Sequence, residues 1–123
     1  MQIVAHGLVG IEGESARVWD DHLTINAHGE ITQLELFSME DTVLRDTILH
    51  LRNKGYDTIA KRKGTVYFGR WEDPFSWRSG FAFSTDHTGD LDIEFLIAQR
   101  EMNKTDWFYY EEDYNSWREQ QGT

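Results

Sequence analysis

Histidines and carboxylates are the side chains here with the most scope for chemistry: five histidines, at positions 6, 22, 28, 50 and 87, and twenty-two acids among 123 residues. No two histidines have the spacing that puts a pair of metal ligands on one helix or strand face. His22 and His28 could approach each other across a hairpin, but a site there would need Asp20 or Asp21 as well, and turn and surface positions account for both more simply. Asp86-His87-Thr88-Gly89-Asp90 has the residue types of a cation loop without enough oxygen ligands at fixed spacing, so it reads as a turn. Cysteine is absent, which excludes a thiol nucleophile, a zinc-thiolate centre and any disulfide. No serine has the glycine surroundings of a hydrolase elbow. No catalytic residue, metal or cofactor is expected.

Paired carboxylates leave one opening for acid–base work. Gly64 to Ser84 is dense in aromatic residues, and its Trp71-Glu-Asp-Pro-Phe-Ser-Trp77 segment sets Glu72 and Asp73 beside tryptophans, with Asp92 and Glu94 as the next nearest acids. An acid desolvated by an indole can have its pKa raised. The alternative reading is therefore a small enzyme or small-ligand binder that uses Trp71, Glu72, Asp73 and Trp77 around a pocket.

The charge pattern points elsewhere. The net charge is −10; residues 1–44 carry eight acids against one base, residues 45–85 four acids against eight bases, and residues 86–123 ten acids against three bases. Acidic ends thus flank a basic middle. Lys61-Arg62-Lys63, with Arg70 and Arg78, has residue types suited to a phosphate site, but the acidic whole disfavours direct nucleic-acid or membrane binding. Contact with an acidic partner, or with the acidic ends of a second copy in a homo-oligomer, suits that basic middle better. In the last third, Asp92, Glu94, Glu111, Glu112 and Asp113 are interleaved with Trp107, Tyr110 and Tyr114. Carboxylates supply steering and aromatics supply binding energy where a protein masks a basic face. The expected function is a non-enzymatic inhibitory or immunity-type protein that binds a basic protein partner, including one whose basic face binds nucleic acid. The makeup, small, acidic, cysteine-free and aromatic-rich, resembles that of toxin-immunity proteins and phage-encoded inhibitors as a group, though no motif carries the likeness.

These residues need a scaffold, and the length suits one domain over 1–123. The fold expected is α+β: a mainly antiparallel sheet with one main helix packed on a face and a short C-terminal helix. Ile3 to Ile11 reads as a first strand whose glycines mark a bulge or close backbone approach, and Ala16 to Trp19 as a second. His22 to Ala27 and Glu30 to Phe37 flank His28-Gly29 as a hairpin with one wet face. Ser38-Met-Glu-Asp41 has capping-box spacing and opens a helix from Met39 to Asn53, with Leu44, Ile48 and Leu51 on one face and Gly55 as its stop. Tyr56 to Ala60 and Thr65 to Arg70 form a hairpin with a basic tip. Phe81 and Phe83 are expected to pair with Leu91 to Ile97 across the 86–90 turn. Trp107 to Tyr110 gives a last strand and Glu111 to Gln120 a terminal helix. Phe81, Phe83, Ile93, Phe95 and Ile97 join the helix residues in the expected core, and Trp71 and Phe75 are expected to fold back over it. The N-terminal sequence has no basic head followed by a long apolar run, and no stretch is apolar for long enough to span a bilayer, so the expected compartment is the cytoplasm.

Overall fold

A computed structural model describes residues 1–72, 76–84 and 91–121. The expectations placed on Asp73, Phe75, His87 and the rest of the 86–90 turn lie outside the described residues. The elements run α1 (Gln2–Val9), β1 (Ser15–Trp19), β2 (His22–Ala27), β3 (Glu30–Glu35), a 3-10 turn (Leu36–Ser38), α2 (Thr42–Asn53), β4 (Thr58–Arg62), β5 (Thr65–Trp71), β6 (Trp77–Phe83), β7 (Leu96–Glu101), β8 (Trp107–Asp113) and α3 (Tyr114–Gln120). Among the described residues eight strands form one antiparallel sheet in the order β3-β2-β1-β4-β5-β6-β8-β7. The fold is α+β, but two helices rather than one pack on the main face.

The first of these, α1, replaces the expected opening strand. Val4, Ala5 and Leu8 are its buried residues, a helical spacing that puts one stripe on the sheet. Gly7 belongs to the same logic, because a Cβ there would come within 2.9 Å of Leu44 Cδ1, so the missing side chain lets α1 lie close to α2. The glycine does mark a close backbone approach, between helices instead of strands.

Helix α2 begins three residues later than the capping-box reading placed it. Leu36 is fully buried and pins a 3-10 turn, Met39 is extended, and Asp41 is the N-cap, its Oδ1 accepting the Leu44 N–H at 3.0 Å. The stop is as expected. Gly55 has φ +96°, the Gly55 N–H donates to the Arg52 carbonyl at 3.0 Å and the Tyr56 N–H to Leu51 at 3.2 Å, the paired bonds of a Schellman motif. Leu44, Ile48 and Leu51 are buried against α1 and the sheet.

The hairpins β2–β3 and β4–β5 form about the expected turns, with positive φ at His28-Gly29 and at Lys63-Gly64. Strand β6 is different. It pairs with β8, not with residues 91–97, so that Phe83 faces Trp107 and Phe81 faces Tyr109 directly across the ladder. Their rings lie 5.4 and 6.0 Å apart, cross-strand aromatic pairs that a partner strand of Leu91 and Ile93 could not supply. Residues 91–95 instead cross the opposite face of the sheet, where Ile93 joins Tyr67, Ala82, Phe108 and Tyr110 in a second, smaller core. Phe95 leaves the core altogether and packs on Tyr114 and Trp117, and Ile97 is half-buried in β7 beside a register shift between Leu96 and Ala98.

That second core depends on two glycines. Gly69 and Gly80 face each other across β5 and β6, and Tyr110 is Gly80's partner on β8, so the Tyr110 ring lies along the sheet over both. A Cβ would meet the Tyr110 hydroxyl at 2.7 Å from Gly69 and at 2.8 Å from Gly80, and at Gly80 it would also meet the Phe68 carbonyl at 2.0 Å. Backbone cannot yield as a side chain can. Gly80→Ala should therefore destabilise the fold by about 1 to 3 kcal/mol or more, and by more than Gly69→Ala, in chemical denaturation; equal losses would disprove this account. Ile48→Ala, at a position with no exposure, should lose about 2 to 5 kcal/mol, and a loss near zero would mean that α2 does not hold the main core.

Candidate functional site

Strand alternation distributes the aromatic and charged residues singled out above between the two faces of β8. Trp107 and Tyr110 are 5% and 3% exposed and serve the two cores, so neither ring is at the surface. Glu111 lies on the helix side and accepts the Tyr109 hydroxyl at 3.0 Å. Glu112 lies on the opposite side, 3.6 Å from the Arg78 guanidinium. Asp113 ends the strand and caps α3, accepting the Asn115 N–H at 3.2 Å and the Ser116 and Ser76 hydroxyls at 2.8 and 2.7 Å. Asp92 and Glu94 are exposed, and Tyr114 is exposed beside the Phe95–Trp117 pair. The acids of this end are thus partly engaged inside the molecule, and its rings are partly core.

Arg78 ties Trp71 to strand β4. Its guanidinium donates to Asp57 at 2.7 Å and to the Thr58 hydroxyl, and it lies 4.5 Å from the Trp71 ring centre. Trp71 and Trp77 both remain exposed, so Trp71 does not close over the core as expected: an indole stacked under a guanidinium keeps its outer side in water. Trp71, Arg78, Phe95, Glu112 and Tyr114 line an open pocket of about 440 Å³. Glu72 stays outside it, hydrogen-bonded by Ser79 and by Arg70, and the Ser79 hydroxyl foremost holds its pKa below the usual value. In the pocket it is Glu112 whose pKa is pushed up, by burial, with Arg78 and Arg62 opposing. Among the described residues no group of three metal-ligating side chains forms a site, and no helix is long and apolar enough to cross a membrane.

The opposite edge of the sheet carries residues that the sequence reading passed over. Every residue of β3 is exposed, including Ile31 at 68% and Leu34 at 44%, and Phe37 in the following turn is 65% exposed. Among the described residues strand β3 pairs only with β2. Its outer backbone row is therefore free of sheet partners, and Glu30 and Glu35 at its two ends make no ion pair among the described residues. The wet face expected for this hairpin was the one available signal; that both faces of β3 are wet depends on where the sheet ends.

The basic tip also divides. Lys61 is buried on the helix side, its Nζ donating to the Ile11 carbonyl and its pKa lowered by desolvation, whereas Arg62 points to the other face over Tyr67.

Glu112 gives the site a pH signature. A pKa raised in the folded state means that the native protein holds the proton longer than the unfolded chain, so stability should fall as pH rises above the ordinary 4.5 of a glutamate. Below that value both states are protonated and the group adds no pH dependence. Urea unfolding of Glu112→Gln alongside the parent protein should show the variant gaining relative stability from acid to neutral pH; a relative loss over the same range would reverse the assignment. No protein-family model, curated protein or solved structure matches the chain, and its functional reading rests on these residues.

Proposed function

We propose that this protein works by binding a basic partner protein along the β3 edge, as an inhibitory or immunity-type protein that masks a cationic surface. The observation that carries the reading is the exposure of every residue of β3, with Ile31 and Leu34 in solvent between Glu30 and Glu35, neither of them ion-paired among the described residues, and Phe37 exposed just beyond. An edge strand offers a row of backbone donors and acceptors to which an extended segment can add, and alternate side chains then give specificity. Glu30 and Glu35 deter pairing with another copy of the same acidic edge and favour lysine or arginine in the incoming strand. Exposed Asp20 and Asp21, in the turn before β2, extend the negative field at this end.

The acids of β7, β8 and α3 lie toward the other end of the sheet, six or more strand spacings from β3, so the acids near β3 itself supply the field there. Screening limits each charge to about 8 Å at physiological ionic strength, so association should be salt-sensitive. A pull-down from host lysate at low and high salt, with the parent protein and with a Glu30→Lys, Glu35→Lys double variant, tests it. The expected outcome is a basic partner recovered by the parent at low salt, depleted at high salt and lost with the variant, with association slowed about tenfold or more. Asp92→Lys with Glu94→Lys should have a smaller effect. A partner retained equally by the β3 variant, or no protein partner at either salt, would overturn the proposal.

A further inference from the structure

On the sheet face opposite α1 and α2, three arginines each lie over an aromatic ring: Arg17 over Trp19 at 4.8 Å, Arg62 over Tyr67 at 4.6 Å and Arg78 over Trp71 at 4.5 Å. A guanidinium stacked in this way keeps N–H groups in its own plane for an acceptor, and the ring limits its freedom. Register brings two of the three together. Arg17 is opposite Ala60 and Ser15 is opposite Arg62 on paired strands β1 and β4, so the two arginines flank the small Ala60 side chain on one face. The result is a groove of about 430 Å³ whose lining includes Arg17, Trp19, Ala60, Arg62 and Arg78, with Asp57 held by Arg78. That size falls within the range of small-molecule sites.

The arginines of the groove are unequally satisfied. Arg78 is committed to Asp57, Thr58 and Glu112. Arg17 and Arg62 make no ion pair among the described residues, and the Nε of Arg62 is buried without a hydrogen-bond partner. Neither guanidinium has a carboxylate partner among the described residues, and an oxyanion in the groove would supply one. Phosphate suits a pair of guanidinium groups. The groove is also larger than phosphate alone requires, and Trp19, 65% exposed at its rim, offers an indole to a planar ring. An extended polyanion fits less well, because acidic segments build both ends of the sheet around this basic centre.

We propose that this groove binds a nucleoside monophosphate, with Arg17 and Arg62 holding the phosphate and Trp19 contacting the base. The site is separate from the β3 edge, so either assignment can fail without the other. Isothermal titration of the whole protein with adenosine monophosphate, inorganic phosphate and adenosine tests it. Adenosine monophosphate should bind saturably, inorganic phosphate about tenfold more weakly, and adenosine not detectably. Arg17→Gln, at an exposed position that the fold does not need, should weaken adenosine monophosphate by about tenfold or more. Trp19→Ala should weaken adenosine monophosphate by more than it weakens inorganic phosphate, since it removes the base contact as well as the support for Arg17. Lys63→Gln removes the same charge away from the groove and should leave both within about twofold. Absence of saturable adenosine monophosphate binding at millimolar concentration, or equal weakening by Arg17→Gln and Lys63→Gln, would overturn the site.

Discussion

Four consecutive buried residues, Val66, Tyr67, Phe68 and Gly69, give the middle of β5 no wet face. A strand of this kind must be covered on both sides, and the rest of the molecule is arranged to do it. Helices α1 and α2 cover Val66 and Phe68, and residues 91–95 cover Tyr67 from the other side. The cover is fixed by a hydrogen bond as well as by packing: the Asp92 N–H donates to the Tyr67 hydroxyl at 3.0 Å, which gives a desolvated phenol a partner. Burial also pushes the Tyr67 pKa up, keeping the hydroxyl neutral in that setting.

The two covers differ in extent, and that difference produces the surface features. On the helix side the apolar layer reaches from β2 across β5 to Trp107 of β8. On the other side the second core is centred on β5, β6 and β8, while the part over β1 and β4 stays open. The arginine groove occupies that open part. Beyond it, at the sheet's end, β3 has β2 as its one neighbour and no cover on either face among the described residues, and its apolar residues remain in water. Both candidate surfaces therefore lie where the covering layers stop.

Charge follows the same plan. The described parts of the acidic segments 1–44 and 86–123 build the two ends of the sheet, and the basic segment 45–85 supplies most of α2 and the central strands β4 to β6. Strand alternation then sends Lys61 into the helix side and Arg62 to the open side. A run of three bases that resembles a solvated tip becomes a buried cation, a groove-lining cation and a turn residue with φ +50° at Lys63.

Local signals in the sequence were enough for the α+β class, the β2–β3 and β4–β5 hairpins, the Gly55 stop and the buried stripe Leu44, Ile48 and Leu51, because each of these is set by neighbours within a few residues of one another. The same signals misplaced α1, whose helical stripe of Val4, Ala5 and Leu8 was masked by glycines and β-branched residues that suit a strand equally well. Pairing lay beyond them. Whether β6 meets residues 91–97 or β8 is a choice between two apolar strands of period two, settled by the Phe83–Trp107 and Phe81–Tyr109 contacts across more than one intervening segment. The carboxylates were legible as an acidic, aromatic end, but not that Glu112 would face Arg78 and Asp113 would cap α3, since a one-residue step reverses the face of a strand. Sequence alone determined which residues carry charge and which are apolar. Tertiary structure decided which of them stay uncovered, because exposure of Arg17 and Ile31 on one face and of Leu34 on the other depends on how far each covering layer extends across the sheet.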